Sequence, residues 1–144
     1  MSGRALIVIG LILAAVLGYF ALEVSPQEAA DAAGREIGGT LVQVEVPERL
    51  SAEAQAGKEN FEVFCAQCHG PSAAGREGAG PPLIHKVYEP SHHGDLAFAM
   101  AAMQGVRAHH WNFGDMPPVE GVTEGQIAEI VAYVRELQRN NGIN

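Results

Sequence analysis

The pentapeptide Cys65-Ala66-Gln67-Cys68-His69 constrains this chain more than any other stretch. Its spacing, C-x-x-C-H, is the attachment signature of c-type haem. Each thiol can add to one haem vinyl group, giving two thioether bonds. The next residue, His69, is then held under the iron, where an imidazole nitrogen can ligate it. The spacing is tight because both vinyls and the iron belong to one small rigid macrocycle. The chain has two cysteines, and both lie in the motif. A Cys65–Cys68 disulfide is a rival reading, but a redox C-x-x-C needs a βαβ setting, and these flanks are not strand-like. A zinc site is a second rival, which would have to recruit some of the five other histidines at ligand spacing.

The chain of 144 residues is long enough for one domain and an appendage. A formal charge of −8 and the lack of a basic patch argue against a nucleic-acid partner. Ala5 to Leu22 is an apolar run of 18 residues without a charge. As a helix it would span about 27 Å, close to the hydrocarbon thickness of a bilayer. Arg4 before it and Glu23 after it give a weak cytoplasmic-N-terminus signal. Residues 1–22 therefore read as an uncleaved anchor, with a cleaved signal peptide as the competing reading; alanines 29, 30, 32 and 33 offer a late cleavage site. Either way the haem motif lies outside the cytoplasm. The expected location is the bacterial inner membrane, single-pass, with the haem domain in the periplasm.

Residues 23–50 read as a linker. Within it, residues 40–46 alternate, with Val42, Val44 and Val46 opposite Gln43 and Glu45, a short-strand pattern. Such a strand would wrap the domain or add to a partner's sheet; plain extended linker is the alternative. The haem domain is expected over 51–144 and is all-α, with about three helices and long loops. Ser51 is a candidate N-cap, and Gly57, Phe61 and Phe64 share one face of the helix leading into the motif. Asp95 is a candidate cap for a short helix with Leu96, Ala99, Met100 and Met103 on one stripe, ended by Gly105. Thr123 and Gln126 form a capping box before a last helix whose face carries Ile127, Ile130, Val131, Val134 and Leu137.

A second axial ligand has three methionine candidates besides Met1. Met100 and Met103 fit core packing on their stripe. Met116 sits in Gly114-Asp115-Met116-Pro117-Pro118, where two prolines stiffen the loop and could hold a thioether against iron. A histidine ligand or an open site are the remaining alternatives. His92-His93 and His109-His110 read as solvated loop pairs rather than a metal site. His110, Trp111, Tyr88 and Arg107 are rival hydrogen-bond donors to a haem propionate.

With these parts assembled, residues 51–144 resemble the class I c-type cytochromes, small monohaem electron carriers, and the whole chain resembles a membrane-anchored bacterial member. Gly57 and Phe61 match the family's first-helix pattern and would cross Ile130 and Tyr133 of the last helix. Gly80-Pro81-Pro82-Leu83 matches its G-P-x-L. The resemblance implies the class I cytochrome c fold around one haem c, preceded here by one transmembrane helix. It implies that the Pro81 carbonyl accepts from the second ring nitrogen of His69 and that Leu83 packs on the haem. Phe61, Phe64, Leu83, Met100 and the last helix would form the apolar wall. The basic face of the mitochondrial relatives is missing, since residues 51–144 hold six Lys/Arg against eleven Asp/Glu.

The expected function is one-electron transfer through a His69/Met116-ligated haem, without substrate turnover. Expected partners are a bc1-type complex, a terminal oxidase or a photosynthetic reaction centre, with the membrane engaged through residues 5–22. A fixed cytochrome subunit of a larger membrane oxidoreductase, and a haem enzyme or gas sensor with an open sixth site, are the competing functions.

Overall fold

The computed structural model describes residues 38–144, which belong to one compact unit. The apolar run at 5–22 lies outside the described residues. Among the described residues no helix is long and apolar enough to cross a membrane.

Helix α1 (Ala52–Phe64) starts where Ser51 Oγ accepts the Ala54 N–H, with Glu53 in the positive first turn. The one-turn α2 (Ala66–His69) continues it after a break at Cys65. Helix α3 (Asp95–Gln104) ends at Gly105, whose φ of +77° reverses the chain. Helix α4 (Glu124–Asn140) begins with the Thr123–Gln126 capping box. It closes when the Gly142 and Ile143 N–H groups fold back onto the carbonyls of Arg139 and Gln138. The described residues contain no strand, only isolated antiparallel bridges at Arg76–Gly80 and Val106–Met116.

The core is the crossing of α1 over α4. Gly57 is buried there because nothing larger fits: a Cβ on it would lie 1.9 Å from the Glu129 carbonyl oxygen and 3.0 Å from Tyr133 Cβ. One turn on, the Phe61 and Tyr133 rings meet at 5.7 Å and 59°, a tilted pair of the favoured kind. Ala54, Val134 and Leu137 complete the sealed seam.

Three expectations need correction. Residues 40–46 form no strand. They run as an extended strap over their own domain: Leu41 and Val42 N–H both donate to the Ala74 carbonyl, Glu45 N–H donates to Asn141 Oδ1, and the Glu45 carbonyl accepts from Asn140 and Asn141. Val44 packs against the core. A ladder would need a partner strand, and here helix-end side chains and a turn satisfy the backbone instead.

Second, α3 turns toward the cavity the opposite face from the one its larger residues suggested. Leu96, Met100 and Met103 are exposed at 71%, 46% and 48%; Ala97, Phe98, Ala101 and Ala102 face the interior cavity. The helix is apolar nearly all round, so period alone could not select a face. Third, Asp95 caps nothing, since Gly94 is the N-cap. Its carboxylate instead takes the guanidinium of Arg135, which is buried. Arg135 also donates to the carbonyls of Tyr88 and His93 and to Gln138 Oε1, and lies 4.7 Å from the Phe98 ring centre. That one side chain fastens α3 and the preceding loop to α4.

Candidate functional site

The motif folds as a single helical turn about the Cys65 carbonyl, which accepts from Cys68 N–H (3.1 Å) and His69 N–H (2.9 Å). This puts all three motif side chains on one wall of an apolar cavity. Cys65 and Cys68 are unpaired, as addition to two vinyl groups requires. Among the described residues neither belongs to a cluster of metal-ligating side chains. Burial, with the neighbouring Cys68 adding to it, pushes the Cys65 thiol up to about 11. The site therefore holds this thiol protonated at neutral pH and does not itself activate it as a nucleophile.

Chain turns on either side aim His69. Gly70, at φ +71°, stops the helix so tightly that a Cβ would lie 2.3 Å from the Gly75 oxygen. Ser72 and Ala73 follow at φ 52° and 58°, a left-handed backbone that non-glycine residues adopt at a cost. The turn is pinned by Leu83 N–H on the Ala73 carbonyl and by the strap on the Ala74 carbonyl. Gly80 then presses against the motif, with space for a Cβ closed by Cys68 O at 2.8 Å. This close approach brings the Pro81 carbonyl to 2.9 Å from His69 Nδ1. A carbonyl only accepts, so Nδ1 carries the proton and Nε2 keeps its lone pair. Burial lowers the His69 pKa, the Pro81 bond opposing it, and the ring is neutral, as a ligand must be.

The other wall comes from the segment between α3 and α4. Val106 and Met116 exchange both backbone hydrogen bonds, at 2.9 and 2.8 Å, so the methionine loop is stitched to the end of α3. The close packing needs Gly105, where a Cβ would sit 2.5 Å from the Met116 oxygen. Met116 lines the same cavity as His69; Met100 and Met103 do not. The wall expected from Met100 is made by Phe98 and the alanines of α3, while Phe61, Phe64, Leu83 and Ile130 of the last helix line the cavity, joined by Pro81.

Sequence does not single out Phe98 in this wall, because its neighbours are alanines. Trp111 was one donor among four, and the structure distinguishes it: its Nε1 is buried with no acceptor at bonding geometry. Tyr88 stands beside it, its phenol raised by burial with the indole opposing.

The cytochrome c family model matches residues 54–138. The chain belongs to the cytochrome c family. It is a class I c-type cytochrome, and the family carries covalent haem c and transfers electrons through it. No curated protein matches the chain. The residues present fit the group: an apolar cavity, two thiols and a free imidazole lone pair on one wall, and an orphaned indole N–H. Cys65 and Cys68 would hold its rim and His69 its iron.

Proposed function

We propose that this cytochrome is a single-electron carrier whose haem iron is held between His69 Nε2 and Met116 Sδ, on the periplasmic face of a membrane. The bound haem supplies a reversible one-electron couple. The chain supplies a dry cavity, an imidazole tied by Pro81, and a methionine on a loop fixed from both sides. A thioether ligand and an apolar wall both favour the reduced state and raise the potential. With two protein ligands no coordination position is left for a substrate, which separates a carrier from a haem enzyme or gas sensor. The buried Trp111 Nε1–H supports a hydrogen bond to a haem propionate.

The observation that carries this reading is that Met116, unlike Met100 and Met103, lines one cavity with His69, whose Nε2 lone pair is free, on a loop tied to Val106 by two backbone hydrogen bonds. The apolar run at 5–22 supports a single-pass anchor, and partners would be membrane redox complexes of the bc1, terminal-oxidase or reaction-centre kind, met through a small contact. The strap bears on the rival, a fixed subunit joined through strand addition. Its Leu41, Val42 and Glu45 N–H groups are already engaged by this chain, which favours a carrier. The test is Met116→Ala in the holo-protein. The expected result is a lower potential and carbon monoxide binding to the ferrous form; unchanged values for both would overturn the ligand assignment.

A further inference from the structure

Four histidines converge away from the motif, and three of them, His93, His109 and His110, also line the haem cavity. His92 and His93 sit on a turn after Glu89, whose carbonyl accepts both of their N–H groups at 3.0 and 2.8 Å. His109 and His110 come from the other side of α3. The rings pack in one cluster, with His92–His110 at 5.3 Å, His93–His110 at 5.1 Å and His109–His110 at 4.2 Å between centres.

We infer that His92, His93 and His110 form a binding site for a divalent late-transition cation, zinc in the first instance, at the edge of the haem cavity, which His93 and His110 line and His92 does not. One nitrogen from each of the three lies within 4.8 Å of the others. His92 Nε2 and His110 Nε2 are 3.4 Å apart. Two nitrogens bound tetrahedrally at about 2.0–2.1 Å from zinc stand roughly 3.3–3.4 Å apart, so this edge is already at coordination length. It is long for a hydrogen bond between neutral rings.

The third ligand is oriented as metal-bound histidines usually are. His93 Nδ1–H donates to the Val87 carbonyl at 2.7 Å, leaving Nε2 with its lone pair. The His93 backbone is fixed too, because its carbonyl takes a hydrogen bond from Arg135 of α4. Three imidazoles and one remaining position are the donor set of open zinc sites, and imidazole suits zinc, copper and nickel over magnesium or calcium. His109 stacks on His93 at 29° and backs the site without being needed in it.

Calorimetric titration of zinc into the holo-protein at pH 7.5 tests this, with stoichiometry as the readout and no dependence on electron transfer. One zinc per chain is expected. His92→Ala, an exposed position outside the cavity wall, should weaken binding at least about tenfold, the scale on which even outer-shell partners of a metal act. His110→Ala should do the same, and His85→Ala should leave it unchanged. Absence of saturable binding, or equal affinity in wild type and His92→Ala, would overturn the site.

Discussion

Replacing Gly57 by alanine probes the contact on which the haem wall is built. A Cβ there would sit 1.9 Å from the Glu129 carbonyl oxygen. Carbon and oxygen rest at about 3.3 Å in close packing, so α1 and α4 would have to part by about 1.4 Å. The struck atom is backbone, and no rotamer change relieves it. Overpacking costs about 1–3 kcal/mol, and a rigid backbone clash belongs at the top of that range. Alanine returns about 1 kcal/mol through helix propensity, so the net expectation is a loss of about 2 kcal/mol. For a domain of this size that lowers the melting temperature by about 8–16 °C. Gly125, in the exposed first turn of α4, is the control, since nothing lies within 4 Å of a Cβ there. Gly125→Ala should gain about 0.5–1 kcal/mol. Denaturant unfolding of the two holo-variants gives both midpoints. If Gly57→Ala moved upward with Gly125→Ala, the close crossing would not be what holds these helices together.

Further perturbations separate the remaining contacts. Arg135→Met should cost about 3 kcal/mol in the same assay, because it strands the His93 carbonyl and Gln138 Oε1 that it now satisfies, while the Tyr88 carbonyl keeps Gln138 Nε2; Asp95→Asn should cost under about 1 kcal/mol, its carboxylate being largely exposed. Equal losses would mean that the ion pair, not the stranded acceptors, is what matters. Asn141→Ala removes two bonds to Glu45, and at about 1 kcal/mol each strap opening should rise at least about tenfold, read as faster proteolysis within 39–50. Burial holds the Tyr133 and Tyr88 phenols above the ordinary value of 10. The unfolded chain releases those protons first, so stability is full below pH 10 and falls as pH rises beyond it. Tyr133→Phe should flatten that alkaline fall, and an unchanged slope would exclude Tyr133 as its source.

The site was legible in the sequence where chemistry demands local spacing. The C-x-x-C-H turn, the Ser51 and Thr123 caps and the proline-stiffened Met116 each announce themselves within a few residues. The face of α3 was not legible, because a helix of alanine, leucine and methionine is apolar on every side and only the cavity decides which side turns inward. The histidine convergence was missed for a topological reason. Taken as isolated pairs, His92-His93 and His109-His110 look solvated. Yet α3 is ten residues long, about 15 Å at 1.5 Å per residue. The five residues from Val106 to His110 span about 16–18 Å when extended. With Gly105 reversing the chain, the second pair has to come back beside the first.

In the proposed anchored form, the docked strap would shorten the leash. Counted from Leu22, twenty-nine residues (23–51) precede α1, a reach of at most about 96–104 Å at 3.3–3.6 Å each. The Gly39 carbonyl is already bound by Glu77 N–H. Sixteen residues (23–38) would then set the span of such a tether, at most about 53–58 Å. A pull toward the bilayer would reach the domain at Gly39 and the Ala74 carbonyl, on the strained turn that follows His69, so tether tension would meet the proposed axial imidazole a few residues away.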